Sequence, residues 1–214
     1  MSTKTQRADV LVLNNVRLSF PAIFEKKKTS EEGVPKYSLS CLMDPNTASG
    51  KANIDAIKAM QMRLAKATWK DNAEKVLRAT DRDRRLLRDG NNATNQEGDI
   101  YAGYEGMYYI TASSTREFKI LNRNKTPAGK NDQEKFYGGC YVDVVLSCYV
   151  ITDRNKGGNG LFATIEIVRW RADGEPFGAA PLEEDDYLED LSDDEDFDAE
   201  TSDSETMSDD DDFI

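Results

Sequence analysis

The alternation of apolar and polar positions divides the chain into six strand-like stretches and one helical segment. From Val10 to Phe20, Val16, Leu18 and Phe20 alternate with Arg17 and Ser19, the period of a half-buried strand. Asn14-Asn15 interrupts this strand and Pro21 is expected to end it. A second strand runs from Lys36 to Met43, with Tyr37, Leu39 and Cys41 on one face, and pairs with the first. Between them, Phe24, the triplet Lys26, Lys27 and Lys28, and the polar run TSEEGVP predict a hairpin-like loop with a basic flank.

The period then changes. Asp44-Pro45 breaks the strand, and Thr47 or Ser49 is placed to cap a helix. From Lys51 to Lys70, Ile54, Ile57, Met60, Leu64 and Thr68 fall on one side, and Lys58, Arg63, Lys66 and Lys70 on the other. This basic side is either an ordinary solvated helix face or a track for a phosphate backbone. A short second helix follows through Val76, Leu77 and Arg78, and DRDRRLLRDG mixes charge signs up to Gly90. The helical segment thus spans about 47–89.

After a polar connection over 91–105, strands are expected at MYYITAS, at REFKIL, over 136–151 and over 161–171. The loop NRNKTPAGKND and the turn-rich DRNKGGNG separate them, the latter as a hairpin. Two strands, a helical insertion and about four more strands indicate a mainly-β, α+β chain. A small antiparallel barrel or strongly curved sheet accommodates that order.

Charge changes this picture. The chain has 28 basic and 40 acidic residues, net −12. Eighteen of the acidic residues lie between Glu183 and Ile214, which has no Lys or Arg, so residues 1–182 carry a net charge of +6. The expected organisation is one domain over 1–182 and a disordered acidic tail over 183–214. Alone, such a tail reads as a solubilising segment. Beside a basic body, it reads as a competitor for whatever polyanion the body binds.

Other totals narrow the chemistry. There is no histidine, which removes His-based acid–base and nucleophilic catalysis and the common zinc sites. Cys41, Cys140 and Cys148 lack metal spacing and read as reduced thiols near the core. No signal-type N-terminus, long apolar run or phosphate-binding loop occurs, so a cytoplasmic protein without membrane contact is expected. Asp143 and Glu166 are the strand carboxylates on which a metal-dependent nuclease or recombination enzyme would rest, with Asp143 otherwise a lone charge on the outer sheet face. The leading expectation has no catalytic residue, metal or cofactor.

Binding has more support. Single-stranded nucleic acid needs cations for its phosphates and flat rings for its bases. The interleaved candidates are Phe24, Lys26, Lys27, Lys28, Tyr37, Tyr104, Tyr108, Tyr109, Arg123, Lys125, Phe136, Tyr137, Tyr141, Tyr149, Arg154, Lys156, Arg169 and Trp170, with Phe20, Tyr101 and Arg171 beside them. Each ring has core packing as its alternative use. The tail ends on Asp209, Asp210, Asp211, Asp212, Phe213 and Ile214, an apolar anchor behind charges that suits a small hydrophobic pocket rimmed by Lys or Arg on a partner.

Several runs resemble a bacteriophage family of single-stranded DNA-binding proteins with an oligonucleotide/oligosaccharide-binding (OB) fold. They are RLSFPAIFE, PKYSLSCLM, GDIYAGYEGMYYITASS, KFYGGCYVDVVLSCYVIT and the closing DGEPFG. The resemblance implies an OB-like barrel and non-enzymatic binding of single-stranded DNA in phage replication, recombination or repair. It also implies recruitment of replication proteins (polymerase, helicase or primase) through the tail, in the cytoplasm of an infected bacterial host. A homo-oligomer stays open. The helical insertion after the second strand departs from the usual OB order, and Ile214 departs from tails that end on an aromatic ring. A DNA mimic without nucleic-acid affinity is a third reading.

Overall fold

β1 (Val10–Lys27) is the strand on which the others are arranged. The structure, a computed structural model, describes residues 7–28 and 33–178. The predicted tail, including Asp209 to Ile214, lies outside the described residues. The remaining strands are β2 (Lys36–Met43), β3 (Arg88–Asp89), β4 (Tyr108–Ser114), β5 (Lys119–Leu121), β6 (Tyr141–Ile151) and β7 (Gly160–Ala172). They form one sheet in the order β3-β4-β2-β1-β6-β7-β5. Every adjacent pair is antiparallel except β5 and β7. The two-residue β3 is the strand beyond the six expected.

Pro21 does not end β1. It sits in a one-residue bulge between Ser19 and Ala22, where a missing N–H costs the ladder nothing. A second bulge lies at Asn14-Asn15, between Leu13 and Val16. Its backbone is held from both sides. Asn53 accepts from Asn14 N (3.1 Å) and donates to Asn14 O (2.8 Å), while Asp143 Oδ1 accepts from Asn15 N (2.9 Å). With its bulges, β1 pairs β6 along its first half and β2 along its second. The sheet curls until β4 lies against β7, although no strand ladder joins them among the described residues. The result is the expected mainly-β, OB-like barrel with a helical insertion.

α1 (Ala48–Trp69) packs on β1, β2 and β6, and α2 (Ala73–Ala79) packs on α1. Thr47 caps α1, its Oγ1 accepting from Gly50 N at 3.0 Å. Ile54, Ile57, Met60 and Ala65 of α1 join Leu77 of α2 and the inward residues of the sheet in one core. Leu64 is only half-buried and Thr68 is exposed, so the apolar face is narrower near its end than the spacing suggests. No helix among the described residues is long and apolar enough to cross a membrane.

Candidate nucleic-acid interface

The outward face of β2 and β4 is unusually small and polar. Ser38 pairs with Ser113, and Ser40 with Thr111, and Ser19 of β1 lies opposite Ser40. These hydroxyls floor a groove, because β-strands send alternate side chains to opposite faces and the inward set here is Leu39, Cys41, Ile110 and Ala112.

Aromatic rings form one wall. The connection over 91–105, expected only as a polar link, folds back over the sheet and plants Tyr104 on it. Tyr104 is 2% exposed and its hydroxyl donates to Ser19 Oγ at 3.2 Å. Burial raises its pKa above the ordinary phenol value, so it remains a neutral donor. Around this pillar stand Phe20 and Tyr101 in edge contact (4.9 Å), and Tyr109 (5.1 Å from Tyr104). Phe20 is 56% exposed and its φ is +45°, a conformation costly for a bulky residue. Strain of this kind collects at ligand clamps. Here the β1 bulge turns the ring outward.

Charge comes from the segment read as mixed in sign. Arg82, Arg85 and Arg88, three residues apart, line a cavity of about 730 Å³ with Tyr108 and Tyr109. Arg82 donates to Asn92 Oδ1 (3.0 Å), Arg85 to Thr80 O (2.7 and 2.9 Å) and Arg78 O (3.0 Å), and Arg88 to Arg85 O (3.2 Å). None of the three has a carboxylate partner among the described residues. These bonds orient their guanidinium groups, and because Asp83 and Asp89 also line the cavity, its lining carries a net charge of +1. This cavity shares Arg88, Asn92 and Tyr109 with one of about 400 Å³ beside Tyr101 and Phe20. That cavity shares Phe20, Ser40 and Thr111 with a third, of about 290 Å³, which ends at Tyr149 and Phe162. The three form one continuous groove from arginines, past rings and hydroxyls, to a second pair of rings 6.0 Å apart.

Of the residues expected from sequence, the groove gathers Tyr104, Tyr108, Tyr109 and Tyr149, together with Phe20 and Tyr101. Others are structural. Phe136 is 3% exposed and meets Phe24 edge-on at 5.5 Å, so it is a core ring and not a stacking platform. Tyr137 accepts from Gly174 N (3.0 Å) and donates to Gly174 O (2.8 Å), fixing the closing segment. Tyr141 lies under Arg17, and Trp170 is half-buried against the core. Tyr37 packs against Phe118 at 5.4 Å with Lys26 over its ring. Lys27 and Lys28 are exposed near that end of β1. Arg123 and Lys125 occupy an exposed turn after β5, and Arg154 and Lys156 the tip of the β6–β7 hairpin. The exposed basic residues of α1 do not line the groove.

Asp143 is not a lone outer charge. It is 7% exposed, bonded to Arg169 directly opposite on β7 and to Arg171 at 3.3 Å, while Asn15 N takes its other oxygen. Glu166 accepts from Ser147 Oγ at 2.6 Å instead of joining it. The pair meets as no carboxylate cluster, and Arg169 is tied up as Asp143's partner. No group of three or more metal-ligating side chains occurs among the described residues.

Sequence reasoning missed Arg82, Arg85, Arg88, Phe162 and the hydroxyl floor. The three-residue arginine spacing was the available signal.

A family model described as Enterobacter phage Enc34, ssDNA-binding protein, matches residues 9–198. Putative protein p50 of Acyrthosiphon pisum secondary endosymbiont phage 1 is 31% identical over 182 residues, covering 82% of this chain and 92% of that protein. The single-stranded DNA-binding protein from bacteriophage Enc34, solved in complex with ssDNA, is similar with a TM-score of 0.64 at 24% identity, covering 80% of this chain and 91% of that one. A second structure of the Enc34 protein gives 0.62 at 25% identity, covering 84% and 90%.

Proposed function

The chain belongs to the family of the Enterobacter phage Enc34 ssDNA-binding protein, and from that membership we propose that it binds and protects single-stranded DNA along the groove just described. The observation that carries the reading is the continuity of a cavity lined by three arginines outside any ion pair among the described residues with exposed rings over a floor of small side chains. Each ring that stacks on a base contributes on the order of 1–3 kcal/mol, and the guanidinium groups replace counterions along the phosphates.

The acidic segment over 183–214 acts as a competitor in this proposal. A tethered polyanion is present at an effective concentration in the millimolar range, enough to occupy the groove weakly until a strand displaces it. Residues Asp209 to Ile214 then recruit replication proteins (polymerase, helicase or primase) during phage replication, recombination or repair in the host cytoplasm. The domain is taken as 1–182.

The test is a titration of labelled single- and double-stranded oligonucleotides at several salt concentrations, on the full chain and on a chain ending at residue 182. Single strands should bind more tightly, affinity should fall steeply with salt, and removing the tail should tighten binding at low salt. A salt-independent affinity defeats the groove electrostatics, and weaker binding without the tail defeats the competitor.

A further inference from the structure

One side chain ties the turn that follows α2 to the β6–β7 hairpin, whose strand β7 lies against β4. Arg84, in the turn that follows α2, donates from Nε to Asn159 O (3.1 Å) and from Nη2 to Lys156 O (3.0 Å) and Gly158 O (3.0 Å). All three carbonyls belong to the β6–β7 turn. The guanidinium also stands 5.1 Å from the ring centroid of Phe162.

Its socket is made of glycine. A Cβ on Gly157 would lie 2.8 Å from Arg84 Nη1, and one on Gly160 would lie 3.1 Å from Arg84 Nε and 2.7 Å from the Phe162 ring. Gly157 and Gly158 also hold φ values of +84° and +76°, which other residues adopt only with strain. The run GGNG is therefore the negative shape of an arginine.

We propose that Arg84 is a positioning residue for strand binding. It fastens the β6–β7 hairpin to the turn after α2 so that Phe162 and Tyr149 stand at the end of the groove, and it does not itself hold a phosphate. The inference rests on the single-strand reading above. Its chemistry differs from that of Arg82, which is exposed and makes one side-chain bond. Arg84 is half-buried, spends its fork on three carbonyls and gives a face to an aromatic ring. A lysine has the charge but not the planar fork, so it cannot make these bonds together.

The experiment measures binding of a fluorescein-labelled oligothymidine across a range of salt for the full-length protein, Arg84→Gln, Arg84→Lys, Phe162→Ala and the Arg84→Gln/Phe162→Ala double variant. Phe162→Ala should weaken binding roughly five- to 150-fold, the loss of one stacked base. Arg84→Gln should weaken it comparably, leave the slope of log affinity against log salt unchanged, and add less than about twofold in the Phe162→Ala background. Arg84→Lys should behave like Arg84→Gln. A slope reduced by about 0.7 marks a lost phosphate contact and overturns the proposal. So do equal losses in both backgrounds, or wild-type binding by Arg84→Lys. If Arg84→Gln does not fold, Arg84→Lys and its double with Phe162→Ala carry the same comparison. If neither folds, Arg84 is a determinant of the fold and the proposal fails. Absence of binding by the full-length protein overturns the single-strand reading itself, an outcome distinct from each of these.

Discussion

The guanidinium carbon of Arg17 lies 4.2 Å from the ring centroid of Phe177, joining the first strand of the body to the last described turn. Arg17 also bonds to Gly139 O (3.2 Å) and to Glu175 O, while Phe177 N donates to Gly138 O (2.8 Å). Phe177 packs against the buried cluster of Leu42, Ala93 and Tyr104, and its ring occupies the space that a Cβ on Gly103 would need. DGEPFG is thus part of the fold. Phe177→Ala should lower stability by about 2 kcal/mol in urea unfolding, whereas ending the chain at residue 182 should leave the unfolding midpoint unchanged.

Two groups of rings should separate into two phenotypes. Phe20→Ala and Tyr101→Ala each remove an exposed groove ring and should weaken oligonucleotide binding by about 1–3 kcal/mol with little change in melting temperature. Relief of the strained φ at Phe20 even favours Phe20→Gly in stability. Phe136→Ala removes a core ring and should cost about 3–5 kcal/mol of stability. Melting curves beside titrations distinguish the two.

Arg82→Gln and Arg88→Gln should each reduce the salt slope by about 0.7, the signature of one lost contact to a single strand. Arg169→Gln should leave that slope nearly unchanged, because Arg169 lies outside the groove lining and is held by Asp143. Unfolding should register its loss instead. Titration at four or five salt concentrations reads all three.

The cysteines should be inert in the native protein. Burial pushes the Cys140 and Cys148 thiols up to about 12, and raises that of Cys41 further. A raised folded-state pKa favours the neutral thiol. The corresponding stability is complete below the unfolded value of about 8.5, and it is lost as pH climbs from there toward 12. A thiol reagent at pH 8 should find no reactive group until denaturant is added. Unfolding midpoints should fall between pH 9 and pH 11.

Local pattern made most elements legible. The strands around Leu39, Ile110 and Val144 and the helix through Ile57 follow from period alone, because one face of each carries the apolar set even where, as in β2 and β6, the structure buries the other face too. Pro21 misled because the absence of an N–H ends a regular ladder but is harmless in a bulge. Asp143 was misplaced because its partners, Arg169 and Arg171, lie 26 and 28 residues away along the chain and become neighbours only through strand pairing. The same holds for the groove. Tyr108 and Tyr109 were visible as aromatic residues in a basic body, but nothing local joins Phe20 to Tyr101 or tells Phe136 in the core from Tyr149 at the surface. The hydroxyl floor was silent, since serine on an outward strand face is ordinary until a loop walls it in.

The double pairing of β1 also sets an order of assembly during synthesis. Its partner β2, and β4, which pairs β2, are complete once residue 114 has emerged from the ribosome, so the serine floor can form early from nearby segments. Its pairing with β6 joins residues 124 to 137 positions apart and must await the last third of the chain. A nascent chain therefore holds half a groove, with Phe20 and Tyr101 in place but without Phe162 or the Arg84 socket. Competence to grip a strand arrives only once β7 has emerged, while the acidic segment is still being made.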